Sequence, residues 1–301
     1  MDNITHGLTG ALIGYCGFRQ HGGRAALWTA IAAAEFPDID ILMAPLGSEI
    51  YFRWHRSFTH SALLLPFWAA LVAGAIWLIA GRKNFRLLFA ASVAGIASHL
   101  ALDWITNYGT MLLWPLSDAR FALSWVFILD PYVWAMLGLA LWAMLRARQP
   151  AAAPVGLAIV GAYVLVCGGS HWDALRTAAK PPGTQMLAAF AQPMKPFRWT
   201  IIRAETDRIH WINGKDTETF VQFHDDKLLP KAEATSAVKL FRWFAEFPLV
   251  EKLSENGHTV LRYRDLRFRT PMPAGGVNEG GFAAVTVVFD ENGNVLAAVN
   301  L

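Results

Sequence analysis

The sequence predicts an all-α polytopic membrane helix bundle of about six helices over residues 1–174, followed by a small α+β soluble domain at residues 196–301. Residues 175–195 are expected to link them. Composition supports this prediction, because 54% of the residues are hydrophobic and 16% are charged, whereas a soluble domain usually has about a quarter charged residues. The distribution of charge supports it too, because residues 1–174 hold only 19 of the 49 Asp, Glu, Lys and Arg residues.

Long apolar stretches predict the membrane-spanning helices. Residues 62–80 and 151–169 contain no charge over 19 residues each, and residues 121–145 contain only Asp130. About 20 apolar residues cross the hydrocarbon layer as a helix. Three shorter segments complete the count of six: residues 4–18, 25–36 and 87–102. The first two of these, at 15 and 12 residues, are compatible with tilted, internally packed or re-entrant helices.

The positions of the cations predict the orientation in the membrane. Six crossings put seven cations into three short loops at one end of the bundle: Arg19, Arg24, Arg82, Lys83, Arg86, Arg146 and Arg148. Because cytoplasmic loops are the cation-rich ones, we expect the other end and the soluble domain to face the periplasm from a bacterial inner membrane. The amino end lacks the basic region and cleavage site of a secretory signal, so we expect the first segment to be retained.

Residues able to bind a metal fall at the opposite end of the same segments: His6, Asp38, Asp40, His55, His60, His99 and Asp103. His99 and Asp103 are four apart on one helix, so both can reach one ion or a close pair. Asp38 and Asp40 follow Pro37, which ends the preceding helix. Imidazole and carboxylate ligands together favour zinc, with manganese or iron as alternatives. We therefore predict a metal centre at the outer membrane surface.

Other interpretations of single residues stay open. An isolated Asp-X-Asp after a helix is usually a cap or a turn, and an isolated His-X3-Asp occurs by chance. Asp130 precedes Pro131 within an apolar run. It is either a polar residue at a kink, satisfied by a neighbouring helix, or a further metal ligand, or a hydrogen-bond acceptor for a ligand imidazole. Glu35 has either a buried hydrogen-bonded role or the role of a general base.

The predicted chemistry is hydrolysis by a metal-activated water. A divalent ion lowers the pKa of its bound water from about 15.7 towards 7. Asp40 or Glu35 is the candidate proton acceptor, and Arg56 or a second ion is the candidate for binding phosphate oxygens. The alternative role of Arg56 is to anchor its loop at the lipid interface. The expected substrate is a phosphoester or a phospholipid-type, lipid-linked molecule in the membrane.

Several motifs resemble one known family. They are MDNITHGLTG at residues 1–10, FPDID at 36–40, HRSFTHS at 55–61, and the segment from His99 to Asp103 followed by NYGT at 107–110. Together they resemble the bacterial YdjM-like inner-membrane metal-dependent hydrolases over roughly residues 1–175.

The resemblance implies a fold and a set of ligands. That family is thought to be distantly similar to the zinc-dependent phospholipases C, which are helical proteins with a cluster of zinc ions. It implies one to three ions bound by His6, Asp38, His60, His99 and Asp103, with Asp40, His55 and Asp130 as further candidates. Those soluble enzymes also use a free mature amino terminus as a ligand, whereas we expect this chain to keep Met1.

The carboxyl-terminal part predicts a small α+β domain. Strands are expected at residues 197–212 and 259–270, and an amphipathic helix at 232–247. Residues 282–289 and 295–299 form a predicted hairpin with Asn-Gly at its turn. The arginines of residues 262–269 are expected on a solvated strand face, or in contact with anionic lipid or polymer. A net charge of +3 gives no support for a nucleic-acid partner.

Two other functional classes remain as alternatives. A transporter would place its polar residues near the midplane on broken helices, whereas most of these lie near one surface. A metal-stabilised scaffold or sensor would keep the ligands but would need no open coordination position. Turnover of a substrate would distinguish the hydrolase from both.

Overall fold

The computed structural model describes residues 1–81, 84–224, 227–255, 257–281 and 284–300. The chain divides into two compact units, Met1–Gly169 and Ser170–Leu301. Three residues named in the predictions lie outside the described residues. They are Arg82 and Lys83, two of the cations that predict the orientation, and Phe282, which begins the predicted hairpin.

The first unit is helical. Its α-helices are α1 Asn3–Ile13, α2 Arg19–Glu35, α3 Ser48–Trp54, α4 Leu65–Ile79, α5 Phe85–Trp104, α6 Pro131–Arg146 and α7 Ala152–Thr177, the last of which continues into the second unit. A π-helical turn, Gly14–Phe18, joins α1 to α2. Two 3-10 segments, Phe36–Leu46 and Phe58–His60, lie on either side of α3.

Two of these helices, α5 and α7, are long and apolar enough to cross a membrane. The residues Ser48–His60 and Leu65–Ile79 together pass the same test, but they are bent by 82° and form either a broken span or a re-entrant loop. The described part of the chain therefore supports two spans, or three if the bent pair is one. The full count of six crossings stays a prediction.

Small residues bring α2 and α5 into close contact. A Cβ atom on Gly95 of α5 would lie 2.6 Å from the carbonyl oxygen of Ala30 in α2, and one on Gly22 of α2 would lie 2.6 Å from Leu87 of α5. These two contacts show that α2 and α5 run in the same direction. Their carboxyl ends, which lead to Asp38 and carry His99, therefore reach the same end of the unit.

The described residues of the second unit form ten strands and two short helices. The strands are β1 Met186–Gln192, β2 Lys195–Ala204, β3 Arg208–Asn213, β4 Asp216–Val221, β5 Pro248–Glu255, β6 His258–Asp265, β7 Thr270–Pro271, β8 Val277–Asn278, β9 Ala284–Phe289 and β10 Val295–Asn300. The helices are α8 Leu229–Glu233 and α9 Ser236–Phe244. The strands form antiparallel sheets in the orders β1-β2-β3-β4, β10-β9-β6-β5 and β7-β8.

The predicted elements of this unit differ in detail from the observed ones. The single strand predicted at residues 197–212 is a hairpin, because the chain turns between β2 and β3 and pairs Ala204 with Ile209. β1 lies within the segment predicted as a linker, where Phe190 is buried in the core of the first sheet. The predicted helix is confirmed over the range of α9, where the Thr235 side chain accepts a hydrogen bond from the backbone N–H of Val238.

Three of the arginines at residues 262–269 are not on a solvated face, and only the first of them lies in β6. Arg264, Arg267 and Arg269 are all buried. Arg264 binds Glu251 at 2.7 Å, and Arg267 binds Asp265 at 3.0 Å. The expectation of a solvated strand face, or of a surface for anionic lipid, is therefore wrong for these three side chains, because carboxylates of the same unit neutralise them inside the fold.

Candidate metal centre

Four of the predicted ligands form one group at an end of the first unit: Asp38, His60, His99 and Asp103. One ligand atom of each residue lies within 4.8 Å of the others. Nε2 of His60 is 3.2 Å from Oδ2 of Asp103, and Nε2 of His99 is 3.5 Å from that oxygen and 3.5 Å from Oδ1 of Asp38. Imidazoles and carboxylates from three separate elements thus converge on one volume.

Hydrogen bonds outside the group aim both imidazoles into it. Nδ1 of His99 lies 2.6 Å from the carbonyl oxygen of Ala34. Ala34 is in the last turn of α2, the helix that packs beside α5. Nδ1 of His60 lies 3.0 Å from Oγ1 of Thr59. With Nδ1 engaged on each ring, Nε2 is the nitrogen that faces the carboxylates. This is the arrangement by which ligand histidines are usually held for a metal.

Burial makes the second oxygen of the Asp103 carboxylate costly to leave without a partner. The side chains of His60, His99 and Asp103 are fully buried. Oδ1 of Asp103 contacts the Arg56 guanidinium at 2.9 Å and the α-amino group of Met1. Oδ2 of Asp103 faces the histidines and makes no hydrogen bond to the described residues. A buried carboxylate oxygen without a donor is destabilising unless a cation binds it.

His6 lies directly beside the group. Its ring stacks on that of His99 with centroids 3.6 Å apart, and its Nε2 is 3.4 Å from Oδ1 of Asp103. The ring is fully buried, and neither of its nitrogens makes a hydrogen bond to the described residues. One His6 nitrogen and the unpaired Asp103 oxygen fit a bound divalent ion, since metal ligation would satisfy both. The donor set of imidazole nitrogens and carboxylate oxygens fits zinc, manganese or iron.

Asp38 and Asp40 are held as carboxylates. Burial by itself would raise the pKa of the Asp38 carboxyl, but hydrogen bonds to His60 and His99 hold that pKa well below its usual value. Burial would also raise the pKa of Asp40, whereas its hydrogen bonds to His55 and to the backbone N–H of Arg56 lower it. Both groups are therefore negatively charged at neutral pH.

Asp40 and His55 stand next to the group rather than in it. Nδ1 of His55 lies 3.0 Å from Oδ1 of Asp40, and the backbone N–H of Arg56 donates to Oδ2 of Asp40 at 2.8 Å. The His55 ring stacks on Tyr51 with centroids 4.7 Å apart. Neither Asp40 nor His55 belongs to the four-residue group.

Arg56 is buried and bound on several sides. In addition to Asp103, its guanidinium donates to Oγ1 of Thr106 at 3.1 Å and lies 5.0 Å from the ring centroid of Tyr108. Its Nε atom is buried and makes no hydrogen bond to the described residues. The alternative in which Arg56 anchors its loop at the lipid interface does not fit this position, because the side chain is 3% exposed.

Glu35 and Asp130 occupy other positions. Glu35, at the end of α2, accepts a hydrogen bond from Nδ2 of Asn3 at 3.0 Å. Asp130 caps α6 by accepting from the backbone N–H groups of Tyr132 and Val133, and it also accepts from the Tyr163 hydroxyl at 2.8 Å. Asp130 is satisfied by a neighbouring helix, as one of its alternatives predicted, but it caps the start of α6 and does not kink a helix over residues 121–145. It is not a member of the metal group.

A cavity of about 360 Å³ opens beside the group. Asp38, Asp40, His55 and Arg56 supply polar parts of its lining. Its apolar lining includes Ile41, Ile128 and Leu129, and its remaining lining residues are Met1, Asp2, Asn3 and Tyr51. The cavity therefore gives a small molecule a path to Asp38 and Arg56.

Sequence reasoning did not identify every residue that shapes this site. It missed Thr59 and Thr106, whose hydroxyls contact His60 and Arg56, because a threonine beside a histidine carries no specific signal. It also missed the carbonyl oxygen of Ala34, because backbone acceptors have no residue-type signature. The α-amino group of Met1 is a further contact of Asp103, and it too is a backbone group without a residue-type signature.

Two comparisons relate this chain to known proteins. The uncharacterized protein YfhP of Bacillus subtilis (strain 168) is 24% identical to this chain over 177 residues, which cover 56% of this chain and 52% of that protein. The chain thus spans about half the length of this curated relative. No solved structure matches the chain. The model of the YdjM inner membrane protein family matches residues 1–174, more than half of the chain, and the protein therefore belongs to that family.

Proposed function

We propose that this protein is a metal-dependent hydrolase of the membrane surface that cleaves a phosphoester or phospholipid-type substrate. The observation that carries the proposal is the convergence of Asp38, His60, His99 and Asp103 beside a cavity that a buried arginine also lines. A site of this kind combines metal ligands, a cationic donor and room for a small group. The similarity to zinc-dependent phospholipases C stays a prediction.

Each residue has a separate role in the proposed mechanism. Asp38, His60, His99 and Asp103 would hold the metal, with His6 as a further ligand on the Asp103 side. A bound divalent ion supplies a water of low pKa and polarises the phosphoryl group. Arg56 is held rigidly by Asp103 and Thr106, so its guanidinium is preorganised to stabilise negative charge at the cavity. Glu35 stays the candidate proton acceptor.

The proposed location follows from the family and from the helices. The family is one of inner membrane proteins, and α5 has the length and apolarity of a span. His99 and Asp103 lie in the last turns of that helix. We propose that this end faces the periplasm, where a lipid-linked substrate in the outer leaflet would meet the metal centre.

Turnover by the purified full chain tests the hydrolase. Protein loaded with zinc or manganese in detergent should cleave members of a panel of phosphodiesters and phospholipids. His99→Ala should abolish that activity, while His21→Ala, which changes an exposed histidine far from the group in sequence, should retain it. No turnover by fully loaded protein, or full turnover by His99→Ala, would contradict the proposal.

One observation favours a second candidate, a metal-stabilised scaffold or sensor. The group offers four protein ligands, three of them fully buried, and four protein ligands suffice to close a structural zinc site. A scaffold of this kind would bind one ion tightly and would show no exchangeable water on it. Water-proton relaxation by the manganese-loaded protein distinguishes the two candidates, because an open position accelerates relaxation.

A further inference from the structure

We propose that Asp40 is a positioning residue of the metal centre, and that it acts through His60 and the corner at Arg56 rather than as a ligand or a general base. The inference rests on the metal centre of the proposed function. The sequence context made the Asp40 carboxylate a candidate proton acceptor, and the positioning role replaces that expectation.

Both oxygens of the Asp40 carboxylate are already engaged. Oδ1 accepts from the His55 ring at 3.0 Å, and Oδ2 accepts from the backbone N–H of Arg56 at 2.8 Å. Oδ2 also lies 3.5 Å from the hydroxyl of Thr59 and 3.5 Å from Nδ1 of His60. The side chain is 2% exposed. A carboxylate with four neighbouring donors and almost no exposure is poorly placed to receive a proton from an attacking water.

These contacts determine which nitrogen of His60 can bind a metal. An ionised carboxylate only accepts hydrogen bonds, so its negative charge near Nδ1 favours the tautomer in which Nδ1 carries the proton. The Thr59 hydroxyl completes a relay, accepting from Nδ1 of His60 and donating to Oδ2 of Asp40. The lone pair of His60 is then left on Nε2, which faces Asp38, His99 and Asp103.

Asp40 also fixes the backbone that carries the other groups. Arg56 has a left-handed backbone conformation, with φ of 57°, which an L-residue other than glycine adopts at a cost. The hydrogen bond from its N–H to Asp40 holds that corner in place. Asp40 is two residues from Asp38, so one short segment positions the ligand Asp38 directly. Through these hydrogen bonds the same segment also positions His60 and Arg56.

Metal affinity measured on the full chain in detergent tests the inference without any need for turnover. Zinc affinity is determined by competition with a chromogenic chelator for the wild type, Asp40→Asn, Thr59→Val and Asp118→Asn. Loss of a partner that orients a ligand typically weakens metal binding about 10–100-fold. We expect a decrease of that size for Asp40→Asn with unchanged zinc stoichiometry at saturation, and a smaller decrease for Thr59→Val. Asp118→Asn, which changes an exposed carboxylate, should bind as the wild type does.

Each result has a defined meaning. Wild-type affinity in Asp40→Asn overturns the positioning role, and a lower stoichiometry at saturation overturns it by showing that Asp40 is itself a ligand. If Asp40→Asn does not fold, wild-type affinity in Thr59→Val overturns the relay to His60. Absence of turnover in the substrate panel removes the hydrolase proposal and leaves this inference standing, whereas a wild type that binds no divalent ion removes both.

Discussion

At the scale of single residues, the metal centre depends on nitrogen atoms whose direction is set by their neighbours. The histidines of the group each have Nδ1 engaged, His60 by Thr59 and His99 by the carbonyl oxygen of Ala34. Their Nε2 atoms are only 3.1 Å apart. Two imidazole nitrogens this close gain most from a shared cation.

Removal of one of these rings should remove the metal. In His60→Ala the group loses a buried ligand, so we expect zinc affinity to fall by more than about 100-fold, beyond the usual effect of losing an orienting partner. Metal content after gel filtration, measured by plasma emission, reports the loss. His21→Ala is the matched control, and retention of full zinc content by His60→Ala would contradict the ligand assignment.

The sequence predicted the members of the group better than it predicted the role of each residue. His60, His99, Asp38 and Asp103 were recognisable because their spacing at segment ends is unusual in an apolar chain. The roles of Asp40, His55 and Asp130 were not recognisable, since a carboxylate that caps a helix and one that binds a metal look the same in a sequence.

At the scale of elements, the contact between α2 and α5 sets the distance between the Asp38 turn and His99. A Cβ atom at residue 95 would lie 2.6 Å from the Ala30 oxygen and 2.8 Å from the Cβ of Ala33. Backbone atoms cannot move away as a flexible side chain can. Gly95 therefore lets α2 approach closely enough for the Ala34 carbonyl to bind His99.

Gly95→Ala should separate these two helices. Overpacking of this kind costs about 1–3 kcal/mol, so we expect a lower thermal midpoint and, because the Ala34 bond to His99 lengthens, weaker zinc binding. Gly138→Ala is the control, since in the described part of the chain no atom outside its own helical turns lies within 4 Å of a Cβ atom there. Equal midpoints and equal zinc affinities for the two variants would show that the contact is not tight.

In the second unit, Glu279 joins two buried arginines. Burial would raise the pKa of its carboxyl, but hydrogen bonds from Arg269 and Arg264 lower it below the ordinary value. A carboxyl whose pKa is lower in the folded state contributes stability above its unfolded pKa, near 4.5, and loses that contribution as pH falls through the folded value. Because the Glu279 side chain is 53% exposed, solvent screening keeps the effect small.

Glu279→Gln should therefore matter at neutral pH and cease to matter in acid. We expect faster amide hydrogen exchange than in the wild type for peptides covering β6 at pH 7. At pH values below the folded pKa the two proteins should exchange alike. Comparison at each pH cancels the intrinsic exchange rate, and a difference that persisted unchanged in acid would contradict the assignment to the carboxylate.

At the scale of the whole molecule, metal binding should contribute to the stability of the first unit, because Asp103 and Asp38 are buried or partly buried charges. A ligand present at about 100 times its Kd stabilises the folded state by about 2.7 kcal/mol. Chelation should therefore lower the thermal midpoint of the wild type, and added zinc should restore it. The chelator should change the midpoint of His60→Ala much less, and equal shifts in both proteins would indicate an unrelated effect.

The topology of the membrane unit makes a second prediction at this scale. In a Cys16→Ser, Cys167→Ser background, single cysteines at exposed Glu49 and Asp118 should react with an impermeant maleimide from the same side of the membrane. A cysteine at Arg86, at the opposite end of α5 from the metal group, should react only after permeabilisation. Labelling of the Glu49 and Asp118 positions from opposite sides of the membrane would contradict this prediction. The metal centre requires the segments that carry these positions to lie on the same side.

The sequence by itself determined the division into an apolar part and a charged part, the apolar character of α5 and α7, and the four residues of the candidate metal group. Hydrophobicity and short spacings along one helix are local properties, so they can be read from the order of residues. The burial of Arg264, Arg267 and Arg269 was decided only by tertiary structure, because it depends on carboxylates contributed by other segments. The positions of Asp40 and Asp130 were decided in the same way, since a hydrogen bond between distant segments exists only after the chain has packed.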